Sequence, residues 1–278
     1  GLIAAQQLAE LGAPSIVLAS RKGLVSPGFG LEKRLQRLDA FPGTTVRLRQ
    51  CDTSSSAQVS DLVAEISRSM EPLRGIVHAA GVLDRCPLAE LSVERLASTL
   101  GPKAAGAWHL HSSTEDLGPK LFVVFSSVSA TLGLAGGAAY SAANAYLDAL
   151  AVWRCQRLGG VSVKFGPVSE VGMTAASGSE AKQLEAMPLK TITPGQVATA
   201  LRLLMAQPSS TTLRGEMTLA RANWAAFRRE SGMEIPHLSD FRLEEESTTA
   251  SKTADAGKVA AWALLPVEQR QNKVLASI

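Results

Sequence analysis

Short, unbroken apolar runs recur along this chain, each separated from the next by a stretch of helical period. "SIVLAS" (15–20), "TTVRLRQCD" (44–52), "RGIVHAAG" (74–81), "KLFVVFSSVSA" (120–130), "VSVKFGP" (161–167) and "RGEMTLAR" (214–221) form the series. A strand with one wet face alternates apolar and polar residues, whereas an unbroken apolar strand is buried on both faces. Between the runs lie "LEKRLQRLDAF" (31–41), "SSAQVSDLVAEISRSM" (55–70), "GGAAYSAANAYLDALAVW" (136–153) and "PGQVATALRLLMA" (194–206), all helical in period. A longer helical pattern at 92–114 is interrupted by Gly101 and Pro102. Strands alternating with helices predict an α/β fold, a Rossmann-like doubly wound parallel sheet over residues 1–230.

Composition narrows the function classes. The 278 residues are 46% hydrophobic and 19% charged, enough to bury a sizeable core. A net charge of +3 is too small to argue for nucleic acid, and no run of 18 apolar residues is present to span a membrane. Cys51, Cys86 and Cys155 are scattered and fit neither a disulfide framework nor a zinc pattern. His109 and His111, two apart on a helix, face different sides, so no metal is expected there. A reduced, cytoplasmic protein is the simplest reading. The chain opens inside a helix without Met or leader and stops inside another, so a piece of a longer polypeptide is expected, its first strand missing. Residues 231–257, containing "EEESTTASKTADAG", read as a flexible linker, and 258–278 as the start of a following module.

In parallel α/β sheets, ligands bind beyond the carboxyl ends of the strands. Ser126 and Ser127 end the most hydrophobic strand, Tyr140 stands thirteen residues past Ser127, and Asn144 is one helical turn further. Lys103 lies on the preceding helical stretch. These are the parts needed to protonate an alkoxide while a hydride arrives. A phenol with a pKa near 10 keeps its proton at neutral pH and can donate it. A nearby ammonium stabilises the tyrosinate left behind and lowers that pKa. A serine hydroxyl can hold the carbonyl oxygen, and an asparagine amide can position a water.

"VLASRKG" (17–23), "HAAGVLD" (78–84), "PKAAGAWHLH" (102–111), "FSSVSATLG" (125–133), "AAYSAANAYLDALA" (138–151) and "GPVSEVGM" (166–173) stand in one order. Together they resemble the ketoreductase domain of type I polyketide synthases, within the short-chain dehydrogenase/reductase superfamily. Most short-chain reductases carry lysine four residues after the tyrosine. Asn144 in that place, with Lys103 on the other helix, is the exchange that marks the polyketide ketoreductases.

The resemblance implies Tyr140 as proton donor and Ser127 as the carbonyl-binding hydroxyl. Lys103 would hold the nicotinamide ribose and tune the phenol, and Asn144 would complete the proton path. NADPH is the implied cofactor. Gly1 and Leu2 would end its phosphate turn, and Ser20 and Arg21 stand where an acid would hold the ribose of NAD. A guanidinium binds a 2′-phosphate that a carboxylate would repel. Asp52 resembles the adenine contact, Ala79, Ala80 and Gly81 would let the dinucleotide approach the backbone, and Gly166, Pro167 and Val168 line the same cleft. Leu83, Asp84 and Leu132 would face the substrate, at positions that in the family mark hydroxyl configuration. Here Arg85 stands in place of the second Asp of one group, and Leu132 in place of the Trp of the other. "FGPV" (165–168) replaces the usual "WGPW", and Thr174 to Pro188 reads as a mobile lid.

The implied reaction is NADPH-dependent reduction of a β-ketoacyl thioester, tethered to an acyl-carrier domain beside other synthase domains. Two other readings stand beside it: a free-standing short-chain alcohol dehydrogenase, and a non-catalytic domain that braces its neighbours. Without its first strand, the chain by itself is expected to be inactive.

Overall fold

The structure is a computed structural model and describes residues 1–69, 71–169, 189–206 and 215–223. The expected linker, the following module and the lid segment all lie outside the described residues. One compact unit covers Gly1–Arg221, and a second covers Ala222–Ile278.

In chain order the elements of the first unit are α1 (Leu2–Glu10), β1 (Ser15–Ser20), α2 (Leu31–Asp39), β2 (Thr45–Gln50), α3 (Ser56–Ser69) and β3 (Gly75–His78). There follow α4 (Val93–Leu100), a π-helical turn (Gly101–Ala105), α5 (Gly106–Thr114), β4 (Leu121–Ser127), α6 (Ser129–Leu132) and α7 (Ala138–Cys155). β5 (Val161–Phe165), α8 (Pro194–Met205) and β6 (Gly215–Leu219) follow, and the remaining described elements are a 3-10 turn at Leu88–Glu90 and two-residue strands at Leu189–Lys190 and Arg221–Ala222. The expected Rossmann-like parallel sheet, flanked by helices, is present. β1 pairs β2, and β3, β4, β5 and β6 pair in that order, every pair parallel. Among the described residues β1 and β3 are not joined.

Burial explains the apolar runs. Val123 of β4 and Val161, Val163 and Phe165 of β5 pack with Ala4 of α1 and with Val197, Leu201 and Leu204 of α8. Phe122 and Val124 point the other way, onto Ala107 of α5 and Leu147, Leu150 and Ala151 of α7. The strand period of two therefore divides β4 between two helical layers, so no position on it can be polar without a partner. α1 reaches both parts of the sheet: Ala4 faces the β4–β5 core, while Ala5 and Ala9 pack with Ile16 and Leu38.

Local chemistry sets the helix ends. Ser92 accepts from the backbone N–H of Arg95 at the start of α4. Thr193 and Gln196 form a reciprocal capping box, with Pro194 in the first turn of α8. Trp153, at a position that reads as packing, is about half exposed; it meets His111 edge-on at 5.1 Å, and Trp108 lies beside both. Arg154 is buried instead, with its guanidinium 3.9 Å from the Phe122 ring centre and hydrogen-bonded to Nδ1 of His111.

Leu147, fully buried between α7 and β4, carries much of this packing. Leu147→Ala is expected to lower unfolding free energy by about 2–5 kcal/mol, and Leu88→Ala, at an exposed site, by under about 0.5 kcal/mol. Denaturant titration of both variants checks the contrast.

Candidate active site

The site is built around one buried ammonium. In the π-helical turn Gly101–Ala105 an extra residue per turn interrupts the helix, and Lys103 projects from it with 3% of its surface exposed. Its Nζ donates to the carbonyl oxygen of Phe125 on β4 at 2.8 Å and lies 5.4 Å from the ring centre of Tyr140. The turn is pressed tightly onto the loop after β2. A Cβ on Gly106 would stand 2.7 Å from Oγ1 of Thr53, and His109 Nδ1 lies 2.9 Å from the Thr53 carbonyl.

Three consecutive residues at the end of β4 organise the rim. Phe125 holds Lys103 through its carbonyl. The Ser126 hydroxyl donates to the carbonyl of Asn144 at 3.3 Å, fixing α7 against the strand. The Ser127 hydroxyl accepts the backbone N–H of Ser129 at 3.2 Å and lies by the Tyr140 phenol. Tyr140 and Asn144 follow one another on the first turns of α7, both buried. The Asn144 amide nitrogen donates to the Tyr140 carbonyl at 2.8 Å, and its Oδ1 is buried without a partner. The structure thus brings Tyr140, Ser127, Lys103 and Asn144 together.

Burial controls the electrostatics. Desolvation lowers the Lys103 pKa to about 8, opposed by the Asp148 carboxylate. The sequence reading has the ammonium lowering the phenol pKa. In the structure, burial pushes Tyr140 above its ordinary value, and the Asn144 and Ser127 side chains offset this in part. The physical reason is geometric: Nζ sits near the ring, and its hydrogen bond goes to the Phe125 carbonyl. His78, at the end of β3, is held down to about 4, first by burial and then by Lys103. Its Nε2 is 3.2 Å from the Lys103 carbonyl, so a neutral ring with Nε2–H donating fits.

The other expected positions are spread around this centre. Gly1 precedes α1 and Leu2 opens it. Ser20 closes β1 and donates to the Leu24 carbonyl at 3.0 Å, and Arg21 is exposed in the next turn. Asp52 accepts the N–H of Ser54 at 3.0 Å, ordering the turn before α3. Ala79 and Ala80 follow β3 outside any helix or strand. At Gly81 the space is taken by the protein itself, because a Cβ there would stand 2.7 Å from Cε of Lys103. Gly166 donates to the Leu219 carbonyl at 2.8 Å, the Pro167 carbonyl accepts from Ile192 at 2.8 Å, and Val168 bridges Ile192. Asp84 forms a two-bond ion pair with Arg95 of α4, both at 2.7 Å, which ties it to the protein rather than leaving it free. Leu132 ends α6, half-buried, and Leu83 is half-buried in the loop. An ammonium with hydrogens beyond its bond to Phe125, near the Tyr140 ring, suits a ligand bearing hydroxyls, as a dinucleotide ribose does.

One group escaped the sequence reading. Asp148, two turns after Tyr140, is 5% exposed and accepts from the fully buried Ser162 hydroxyl on β5. Lys164 Nζ is 3.5 Å from Asp148 and 2.7 Å from Glu216. The sequence does carry a signal for it, the spacing 140, 144, 148, which places three polar side chains along one helix face.

His78 generates a pH prediction. Its pKa is depressed in the fold, so the unfolded chain binds the proton first as pH falls. Stability is present above pH 6.5 and is lost towards pH 4, by about 2–3 kcal/mol. His78→Gln is expected to flatten that slope in urea titrations at pH 7, 5.5 and 4.5.

Comparison with known proteins agrees with the geometry. The KR domain family matches residues 1–170. Polyketide synthase GfsB of Streptomyces halstedii is 36% identical over 276 residues, 98% of this chain and 5% of that protein. A putative inactive phenolphthiocerol synthesis polyketide synthase of Mycobacterium tuberculosis is 37% identical over 205 residues, covering 73% of this chain and 12% of the relative. Among solved structures, a ketoreductase from the first module of phoslactomycin biosynthesis in Streptomyces sp. HK803 has TM-score 0.72 and 33% identity, over 83% of this chain and 52% of that one. An A-type ketoreductase from a modular polyketide synthase has TM-score 0.72 and 32% identity, over 83% and 47%. The chain thus spans a small part of the curated relatives it matches and about half of the solved ketoreductases. With the fold, the rim and these likenesses in agreement, the chain belongs to the KR domain family, the ketoreductases of polyketide synthases.

Proposed function

We propose that the chain carries the reducing centre of an NADPH-dependent β-ketoacyl reductase within a multidomain polyketide synthase in the cytoplasm. The observation that carries this reading is Lys103, buried against the Tyr140 ring at the rim where Ser127 ends β4. The substrate is a β-ketoacyl thioester delivered by an acyl-carrier domain. Gly1, Leu2, Ser20, Arg21 and Asp52 would hold the adenosine side of NADPH, with Arg21 on the 2′-phosphate. Ala79, Ala80, Gly81 and the Gly166–Val168 stretch would line its nicotinamide side. When bound, NADPH supplies the hydride for the carbonyl carbon.

The chain's own residues handle the proton. The Ser127 hydroxyl donates to the carbonyl oxygen and stabilises the charge growing on it. The Tyr140 O–H bond breaks as the new alcohol O–H forms, leaving a tyrosinate. The Lys103 ammonium compensates that charge in a buried setting, where an ion is worth more than in water. Burial keeps the phenol protonated through neutral pH, which is the state that donation needs. Asn144 Oδ1, buried and unpartnered, would accept from a water that returns the proton.

In the complete synthase domain, Tyr140→Phe is expected to reduce turnover of a short β-ketoacyl thioester at least about 100-fold. NADPH affinity, read by cofactor fluorescence, should stay within about threefold of wild type. Normal turnover by that variant overturns the mechanism. The break between β1 and β3 supports a second expectation. The 278-residue chain alone should oxidise no NADPH with this substrate, whereas protein extended ahead of Gly1 should. Steady oxidation by the chain alone overturns it.

A further inference from the structure

We propose that Asp148 is a positioning residue for the Lys103–Tyr140 pair: it fastens the catalytic helix to β5 and sets a fixed negative charge behind the ammonium. The inference rests on the reductase reading only for its activity measurements.

The first observation is where the carboxylate points. Asp148 lies one turn past Asn144 on α7, buried as Tyr140 and Asn144 are, and its carboxylate is tied to the sheet. It accepts from Ser162, a fully buried serine in the middle of β5, and lies 3.5 Å from Lys164 on the same strand. Buried carboxylates are costly unless hydrogen-bonded and paired, and this one has both kinds of partner. Ser126, one strand over, donates to the Asn144 carbonyl a turn away. α7 is therefore held by polar contacts to β4 and β5 within two turns of Tyr140, in addition to its apolar packing.

The second observation is the charge pattern around Lys103. His78 on β3 is neutral at physiological pH, Tyr140 on α7 is protonated, and Asp148 on the same helix raises the lysine pKa against burial. Asp148 is faced in turn by Lys164 on β5, by Glu216 on β6 and by Lys103. Burial raises its pKa, while Ser162, Ser126 and Lys164 hold its charge. The Glu216 carboxylate takes the shorter contact to Lys164, at 2.7 Å, so the lysine is shared and Asp148 is not fully neutralised. What remains of its charge acts on Lys103.

The sign of the effect follows. Removing the anion makes a proton easier to lose from both Lys103 and Tyr140. Asp148→Asn keeps the shape, and in the active synthase domain the alkaline limb of kcat should move to lower pH by about half a unit. kcat at neutral pH should fall about three- to tenfold, with KM for NADPH within about twofold. The matching readout without catalysis is tyrosinate absorbance. Subtracting the Tyr140→Phe titration isolates Tyr140 in protein of any length, and the 278-residue chain has only one other tyrosine, Tyr146. The Asp148→Asn titration should move the same way. Ser162→Ala keeps the charge and loses one fastening. It should lower kcat about threefold and leave both pH positions in place.

If Asp148→Asn does not fold, Ser162→Ala decides: wild-type kcat there overturns the proposal. If Asp148→Asn folds and neither the pH limb nor the Tyr140 titration moves, the proposal is overturned while the reductase reading stands. A titration that moves in a complete synthase domain that reduces nothing supports Asp148 and overturns the reductase reading instead.

Discussion

A charged amine held out of water is the constraint on which the rest of this site depends. Lys103 is 3% exposed and bonded to a backbone carbonyl, and its pKa falls to about 8 because of burial. Neighbouring features follow from accommodating it. Gly81 lacks the Cβ that would collide with its stem, and His78 beside it stays neutral, first through its own burial and then through the lysine. The π-helical turn puts the lysine over the end of β4 rather than along the helix face, and the carbonyl of Phe125 receives it. A buried ammonium is costly to keep, and here it is held by a backbone carbonyl and set against an aromatic ring.

The fold was largely legible in the sequence because the strand signal is strong. Val123 and Val124 could both be apolar only if both faces of β4 were covered, and α1 with α8 on one side and α5 with α7 on the other do so. Gly101 and Pro102 announced an irregularity in the long helix, but its form as a π turn needs the packing of Thr53 and Ser54 against it. Boundaries shifted by one to three residues, since helix ends are set by caps such as Ser92 and Thr193 rather than by hydrophobic period.

The site was legible in its chemistry and less so in its balance. Tyr140, Ser127, Lys103 and Asn144 meet, yet the direction of the phenol shift follows burial, which no spacing in the chain reveals. Asp84 sits where a substrate contact was expected and is occupied by Arg95, eleven residues on, a pairing that a linear motif hides. Asp148 was missed for a related reason. On a helix it reads as a surface charge, and only the registry of Ser162 and Lys164 on β5 makes it an interior one.

The π turn at Gly101–Ala105 has a consequence for how such a centre can change over time. In the commoner arrangement, acid and ammonium share one helix, four residues apart, and any shift of that helix carries both. Here the phenol belongs to α7 and the ammonium to a separate, locally widened turn. A substitution that nudges the turn moves the charge relative to the acid, and one that tilts α7 moves the acid relative to the charge. The two halves of the proposed proton-donating pair are independently adjustable parts, open to separate tuning by separate mutations.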